Sequence, residues 1–159
     1  MGHALTMTFE RWFDTAEALA RFGGEVAARL SVGDAVCLYG PLGAGKSTLA
    51  RGLIRALTAP DEDVPSPTFT LVQLYAARDF PLAHFDLYRL KAAAEAYELG
   101  LDDALDLGVA VIEWPERLGD ALPPDRLDIE IMPPTGSEAD GRRVKLTRHG
   151  SWKGRDAFE

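Results

Sequence analysis

Apolar positions along the chain switch between two spacings, and the switches mark its elements. Ala16, Leu19, Ala20, Gly23, Val26, Ala27 and Leu30 recur at helical intervals behind Asp14 and Glu17, which have capping-box spacing, so a helix is expected from near Asp14. After a turn over residues 31–34, Ala35 to Tyr39 is a short unbroken apolar run, the pattern of a strand buried on both faces of a mostly parallel sheet. A glycine-rich loop leads into a second helical pattern from Ser47, with Leu49, Leu53, Ile54 and Leu57 on one side and Pro60 ending it. Residues 59–67 hold three prolines and three acids and read as an exposed loop. Residues 69–75 and 82–86 predict an antiparallel pair of strands. Lys91 to Leu99, rich in alanine, predicts a helix ended by Gly100. Val109 to Ile112 is another short apolar strand, and strands near 127–132 and 143–148 are separated by the turn-rich segment 133–141. Together these predict an α/β fold of three layers, one mixed parallel and antiparallel sheet flanked by helices.

The chain has 159 residues, enough for one core, and no repeat or long linker interrupts it. One domain is expected over residues 1–148, with a basic tail over 149–159. With 47% hydrophobic and 26% charged residues the composition is that of a soluble globular protein. The net charge of −8 disfavours autonomous binding to a phosphate backbone. That charge is uneven: +1 over residues 1–58, −13 over 59–141 and +4 over 142–159. The basic end, with Trp152 among Arg148, Lys153 and Arg155, is where a direct RNA contact would be sought. Cys37 is the only cysteine, which rules out an internal disulfide and suits a reducing compartment. Met1 to Thr6 has no basic leader followed by an apolar core, and no run of about 18 apolar residues occurs. A cytoplasmic protein with no membrane segment is therefore expected.

Gly40-Pro41-Leu42-Gly43-Ala44-Gly45-Lys46-Ser47 matches the phosphate-binding P-loop, or Walker A, pattern at every fixed position. Glycines turn successive backbone N–H groups toward one centre, and the following helix presents its positive end. Lys46 can then reach the β- and γ-phosphates, and the Ser47 hydroxyl can ligate magnesium. Hydrolysis also needs a carboxylate that holds the metal or orients water. Asp86 and Glu113 each end an apolar strand run, which brings both to the strand ends where ligands of open α/β sheets bind. Ser66-Pro67-Thr68 either stiffens a turn or places a hydroxyl that senses the γ-phosphate. His84 reads as a packed strand residue, and the histidines and the cysteine have no metal-ligand spacing.

Four segments read together in this order: Leu38 to Thr48, Ser66 to Val72, His84 to Leu90 and Glu113-Trp114-Pro115-Glu116. The set resembles the TsaE family, also called YjeE, small bacterial ATPases needed for tRNA threonylcarbamoyladenosine synthesis, over roughly residues 14–148. The resemblance implies a P-loop fold, ATP and Mg2+ as ligands, and a supporting role beside the TsaB–TsaD pair that performs the transfer, with tRNA reached indirectly through that complex. It implies that Gly43, Ala44, Gly45, Lys46, Ser47 and Thr48 hold phosphates, that Ser47 and Glu113 hold magnesium, and that Asp86 assists the metal or positions water. Thr68 would be a switch residue, Trp114 a packing or partner contact, and Gly141-Arg142 a nucleotide contact, with the adenine side near Thr15. Serine stands at 47 where threonine is usual, which keeps the hydroxyl, and residues 91–99 are unusually rich in alanine for the family.

Three functions are open to such a chain. An accessory ATPase would reset a TsaB–TsaD complex, slowly alone because no internal arginine finger is evident; Arg89 and Arg117 are unplaced. A compact small-molecule kinase would need a lid and an acceptor pocket for which little sequence remains. A nucleotide-gated adaptor would bind ATP and dock without needing hydrolysis.

Overall fold

The computed structural model describes residues 8–133 and 141–155. Seven strands form one sheet in the order β1 (Thr8–Phe13), β7 (Arg142–His149), β6 (Arg126–Met132), β2 (Ala35–Tyr39), β5 (Val109–Glu113), β4 (Pro81–Asp86) and β3 (Val72–Ala76). The central run β6, β2, β5, β4 is parallel, and the pairs β1/β7, β6/β7 and β3/β4 are antiparallel. This is the expected mixed sheet. The continuous apolar runs fall in its parallel centre because only there are both faces covered. Every residue of β5 is buried, and so are the first four of β2.

One face is covered by α1 (Ala16–Ala27) and α2 (Lys46–Leu57), whose Leu19, Phe22, Val26, Leu49 and Leu53 pack on Val36, Leu38, Val111 and Ile129. The other face carries α3 (Ala94–Glu98), α4 (Leu101–Leu107) and the 3-10 turns of Pro115–Ala121, which cover Ala35, Cys37, Phe85 and Ile112. α1 and α2 approach each other backbone to backbone: a Cβ at Gly52 would overlap the Ala20 carbonyl, and one at Gly23 would come within 2.5 Å of the Leu49 carbonyl. No helix of the described residues is long and apolar enough to cross a membrane.

Several local expectations change. The first helix is capped by Thr15, whose hydroxyl accepts from Ala18 N at 3.1 Å, while Asp14 instead accepts from Trp12 Nε1. The edge strand β1 was not foreseen, because six residues with alternating burial offer a weak pattern. The strand expected from residue 69 starts at Val72: residues 67–70 form a turn, with Leu71 in the left-handed region at φ 69°. The helix expected over 91–99 is the shorter α3, ended as expected before Gly100, whose φ is 88°; the second short helix beyond it, α4, was not foreseen. The Glu95 carboxylate accepts from Lys91 N and Ala92 N and holds those residues in the preceding turn.

Beyond β7, residues 150–154 form a 3-10 helix that folds back on the sheet. Trp152 is fully buried and Arg148 is 1% exposed. Arg155 stacks 4.2 Å from the Trp152 ring centre and donates to both oxygens of buried Asp34, each at 2.7 Å. The cluster expected to offer an RNA contact is thus mostly spent on packing, and Lys153 is its exposed member. Trp152 anchors here because its large apolar area outweighs the ordering of a few residues.

Two outcomes follow from this packing. Gly52→Ala should lower unfolding free energy by about 1–3 kcal/mol, read from the shift in urea midpoint, because two helix backbones must separate. Burial raises the Cys37 thiol well above its ordinary range, so a thiol reagent should label it only in denaturant.

Candidate functional site

The loop between β2 and α2 forms a cradle because its glycines take conformations closed to other residues: Gly40, Gly43 and Gly45 have φ of 144°, 79° and 118°. At Gly45, which caps α2, a side chain would also meet Leu19 Cδ2 at 2.8 Å. The first-turn N–H groups of α2 therefore face an open space flanked by two cavities of about 350 Å³ each, which share Gly43, Gly45 and Thr48. One continues past Thr15, Ala16, Leu19 and Arg142. The other continues past Lys46, Ser47, Thr68, Asp86, Glu113 and Trp114. Arg142 Nε donates to the Ala44 carbonyl at 2.7 Å, which ties the cradle to β7.

The parallel register of β4 and β5 sets Asp86 directly beside Glu113. Like charges so placed repel, and each carboxylate has its own compensation. Asp86 Oδ2 accepts from Thr68 Oγ1 at 3.1 Å and Oδ1 from Tyr88 N at 3.0 Å. With the Thr68 proton engaged, Ser66 donates its hydroxyl to Thr68 Oγ1 at 2.7 Å. Glu113 Oε2 is 2.7 Å from His84 Nε2 in a buried hydrogen bond. Lys46, 5% exposed, donates to the Gly40 carbonyl at 2.6 Å and lies 3.7 Å from the centre of the Trp114 ring. Burial pulls its pKa down, against the attraction of Glu113, Glu116 and Asp86. Trp114 is held in the left-handed region at φ 59°, a strained conformation that sets its ring over the ammonium and 4.9 Å from the Tyr88 ring.

The expected residues thus gather: Gly43, Gly45, Lys46, Ser47, Thr48, Thr68, Asp86, Glu113 and Trp114 line one cavity, and Arg142 and Thr15 line the adjoining one. Ala44 is buried and contributes through its backbone. The contact of His84 with Glu113 and that of the Tyr88 amide with Asp86 were not read from sequence. The His-x-Asp spacing places residues 84 and 86 on one face of β4, but only the neighbouring strand shows what His84 meets.

Both the sequence and the fold match known proteins. The profile of the family described as "Threonylcarbamoyl adenosine biosynthesis protein TsaE" matches residues 13–144. The chain belongs to the TsaE family. It is 40% identical over 106 residues to the "tRNA threonylcarbamoyladenosine biosynthesis protein TsaE" of Rickettsia conorii, a match covering 67% of this chain and 61% of that protein. The protein of the same description from Streptomyces coelicolor is 39% identical over 136 residues, covering 83% of this chain and 91% of the relative. The crystal structure of YdiB from Bacillus subtilis superposes with a TM-score of 0.73 at 29% identity, covering 94% of this chain and 90% of that one.

The residues of this TsaE-family chain suit magnesium in kind. Ser47, Asp86 and Glu113 offer hard oxygen donors, and Glu113 Oε1 has no hydrogen-bond partner among the described residues. No three His, Cys, Asp or Glu side chains among the described residues form a cage, an arrangement suited to an ion completed by phosphate oxygens.

Because Arg142 is the side-chain tie from β7 to the cradle, Arg142→Ala should cost about 1 kcal/mol of stability in thermal melts. It should also weaken ATP binding by about tenfold in calorimetric titration, the result of losing roughly one charged contact.

Proposed function

We propose that the chain binds and hydrolyses ATP as an accessory protein of tRNA threonylcarbamoylation, required for modification of the adenosine next to the anticodon. It acts on a complex of TsaB and TsaD homologues, contacts tRNA only through that complex, and works in the cytoplasm. The observation that carries this is the convergence of a P-loop, the buried Lys46 and the Asp86/Glu113 pair on one cavity that opens past Thr48 into a second. A base and ribose suit the Thr15–Arg142 side, and a triphosphate laid along the cradle points its γ-phosphate toward Thr68 and Asp86.

In this reading the α2 amides and Lys46 hold the β- and γ-phosphates, which requires Lys46 to leave the Gly40 carbonyl and the Trp114 ring. Ser47 and Glu113 hold magnesium, which when bound neutralises charge on the β- and γ-oxygens. Asp86, oriented by Thr68 and the Tyr88 amide, aligns water for in-line attack on the γ-phosphorus, releasing ADP and phosphate. Thr68 couples the loop 66–70 to the nucleotide, since its hydroxyl bonds the carboxylate that senses the γ-phosphate end. No arginine among the described residues lines the carboxylate side of the site; Arg89 stacks on Phe69 and Arg117 lies near the Tyr88 ring. Slow hydrolysis alone and stimulation by a partner are the consequence. Trp114, partly buried at the cavity wall, is placed to transmit a partner's approach to Lys46.

Purified protein should release phosphate from ATP slowly, and faster when TsaB and TsaD are added. Lys46→Ala should abolish binding, while Asp86→Asn should keep ATP binding and lose about 100-fold or more in turnover. Rapid ADP formation without partners that depends on one small-molecule acceptor would show a kinase instead. Intact tRNA modification by a variant that binds but does not hydrolyse would show a nucleotide-gated adaptor.

A further inference from the structure

His84 sits on β4 two residues before Asp86, on the face covered by α1 and α2, and is 2% exposed. Across the strand pair it stands opposite Val111, so Glu113 is its diagonal neighbour on the same face. Its Nε2 meets Glu113 Oε2 at 2.7 Å, whereas its Nδ1 is buried with no hydrogen-bond partner among the described residues. A proton on Nδ1 would be stranded without an acceptor, so the arrangement favours the tautomer that carries its proton on Nε2 and donates it to the carboxylate.

That donation has a directional consequence. Oε2 is held by His84, and Oε1 is the carboxylate oxygen left without a hydrogen-bond partner among the described residues, on a residue that lines the cavity with Ser47. A glutamate side chain has three torsions and, unbound, would share them among several rotamers. Asp86, the other carboxylate, has both oxygens engaged, so Glu113 is the one prepared to offer a free oxygen. We propose that His84 is a positioning residue: its Nε2–H fixes Glu113 so that Oε1 is presented as the magnesium-facing ligand of the nucleotide site. This rests on the reading of Glu113 as a metal ligand given above, and it adds a residue that touches neither nucleotide nor metal. Buried outer partners of this kind commonly contribute 10–100-fold to metal affinity or activity.

The test compares ATP affinity with magnesium and with chelator, by calorimetry, in wild type, His84→Leu and His84→Gln. Wild type should gain affinity on adding magnesium. His84→Leu should lose about tenfold or more of that gain while binding metal-free ATP as wild type does, and His84→Gln, whose amide can donate from a similar position, should recover most of it. In nitrogen-15 spectra of the unmutated protein, the His84 ring should show a protonated Nε2 and a bare Nδ1. An unchanged magnesium gain in His84→Leu overturns the assignment, as does equal loss of metal-free binding, which would mark a structural role. If His84→Leu does not fold, a bare Nε2 in wild type overturns it and a protonated Nε2, with the gain kept in His84→Gln, supports it. A wild type that binds ATP without any response to magnesium overturns the metal reading of Glu113, and the assignment with it.

Discussion

Two carboxylates stand side by side next to a largely buried ammonium, and much of the site is arranged around that fact. Parallel pairing of β4 with β5 puts Asp86 beside Glu113, and the end of the neighbouring β2 delivers the loop that carries Lys46. Left alone, the two anions would repel. Here each has dedicated donors: the Thr68 hydroxyl and Tyr88 amide for Asp86, the His84 ring for Glu113. Lys46 supplies positive charge near them but is itself held by a carbonyl and an indole, so among the described residues its charge is not spent on a direct ion pair. Such a cluster is poised toward a ligand that is both highly anionic and accompanied by a cation.

The scaffold keeps these groups in place through close backbone packing. The glycine-mediated contact of α1 with α2 fixes the helix that begins at Lys46, and Leu19 of α1 closes against Gly45. Arg142 reaches the cradle from the opposite end of the chain, and the Asp34–Arg155 pair secures the turn that enters β2. The central strand of the sheet is therefore gripped before and after the phosphate loop, while the loop at 66–70, tied by side-chain hydroxyls, is the less firmly held wall. Lower local stability is expected of an element that must respond to a ligand.

The acidic balance met in the sequence resolves into a place. Glu98, Asp102, Asp103 and Asp106 are exposed on α3 and α4, on the sheet face opposite the nucleotide side, and these charges are solvated. The basic end went the other way in part: Arg148, Trp152 and Arg155 are consumed in closing the domain, while Arg143 and Lys153 stay exposed. Charge totals over segments carried no information about which side chains would be buried, because burial of an arginine depends on a carboxylate such as Asp34, 121 residues away, being in reach.

The phosphate cradle, the buried central strands and the helix after the loop were legible from residues in order, because their determinants are local: glycines that permit positive φ, an apolar run bounded by turns, and a helical repeat. The strand β1, the helix α4 and the start of β3 were not, since short elements carry few positions and Leu71 bends the path where periodicity gave no warning. Sequence by itself pointed to a phosphate-binding loop and to the carboxylates that could serve it. Only the tertiary structure decided that Asp86 lies against Glu113, that His84 holds Glu113, that Lys46 rests on Trp114, and that Trp152 is core. Each of these depends on strand register and chain crossings that join distant segments, and those are set by the packing of the whole sheet.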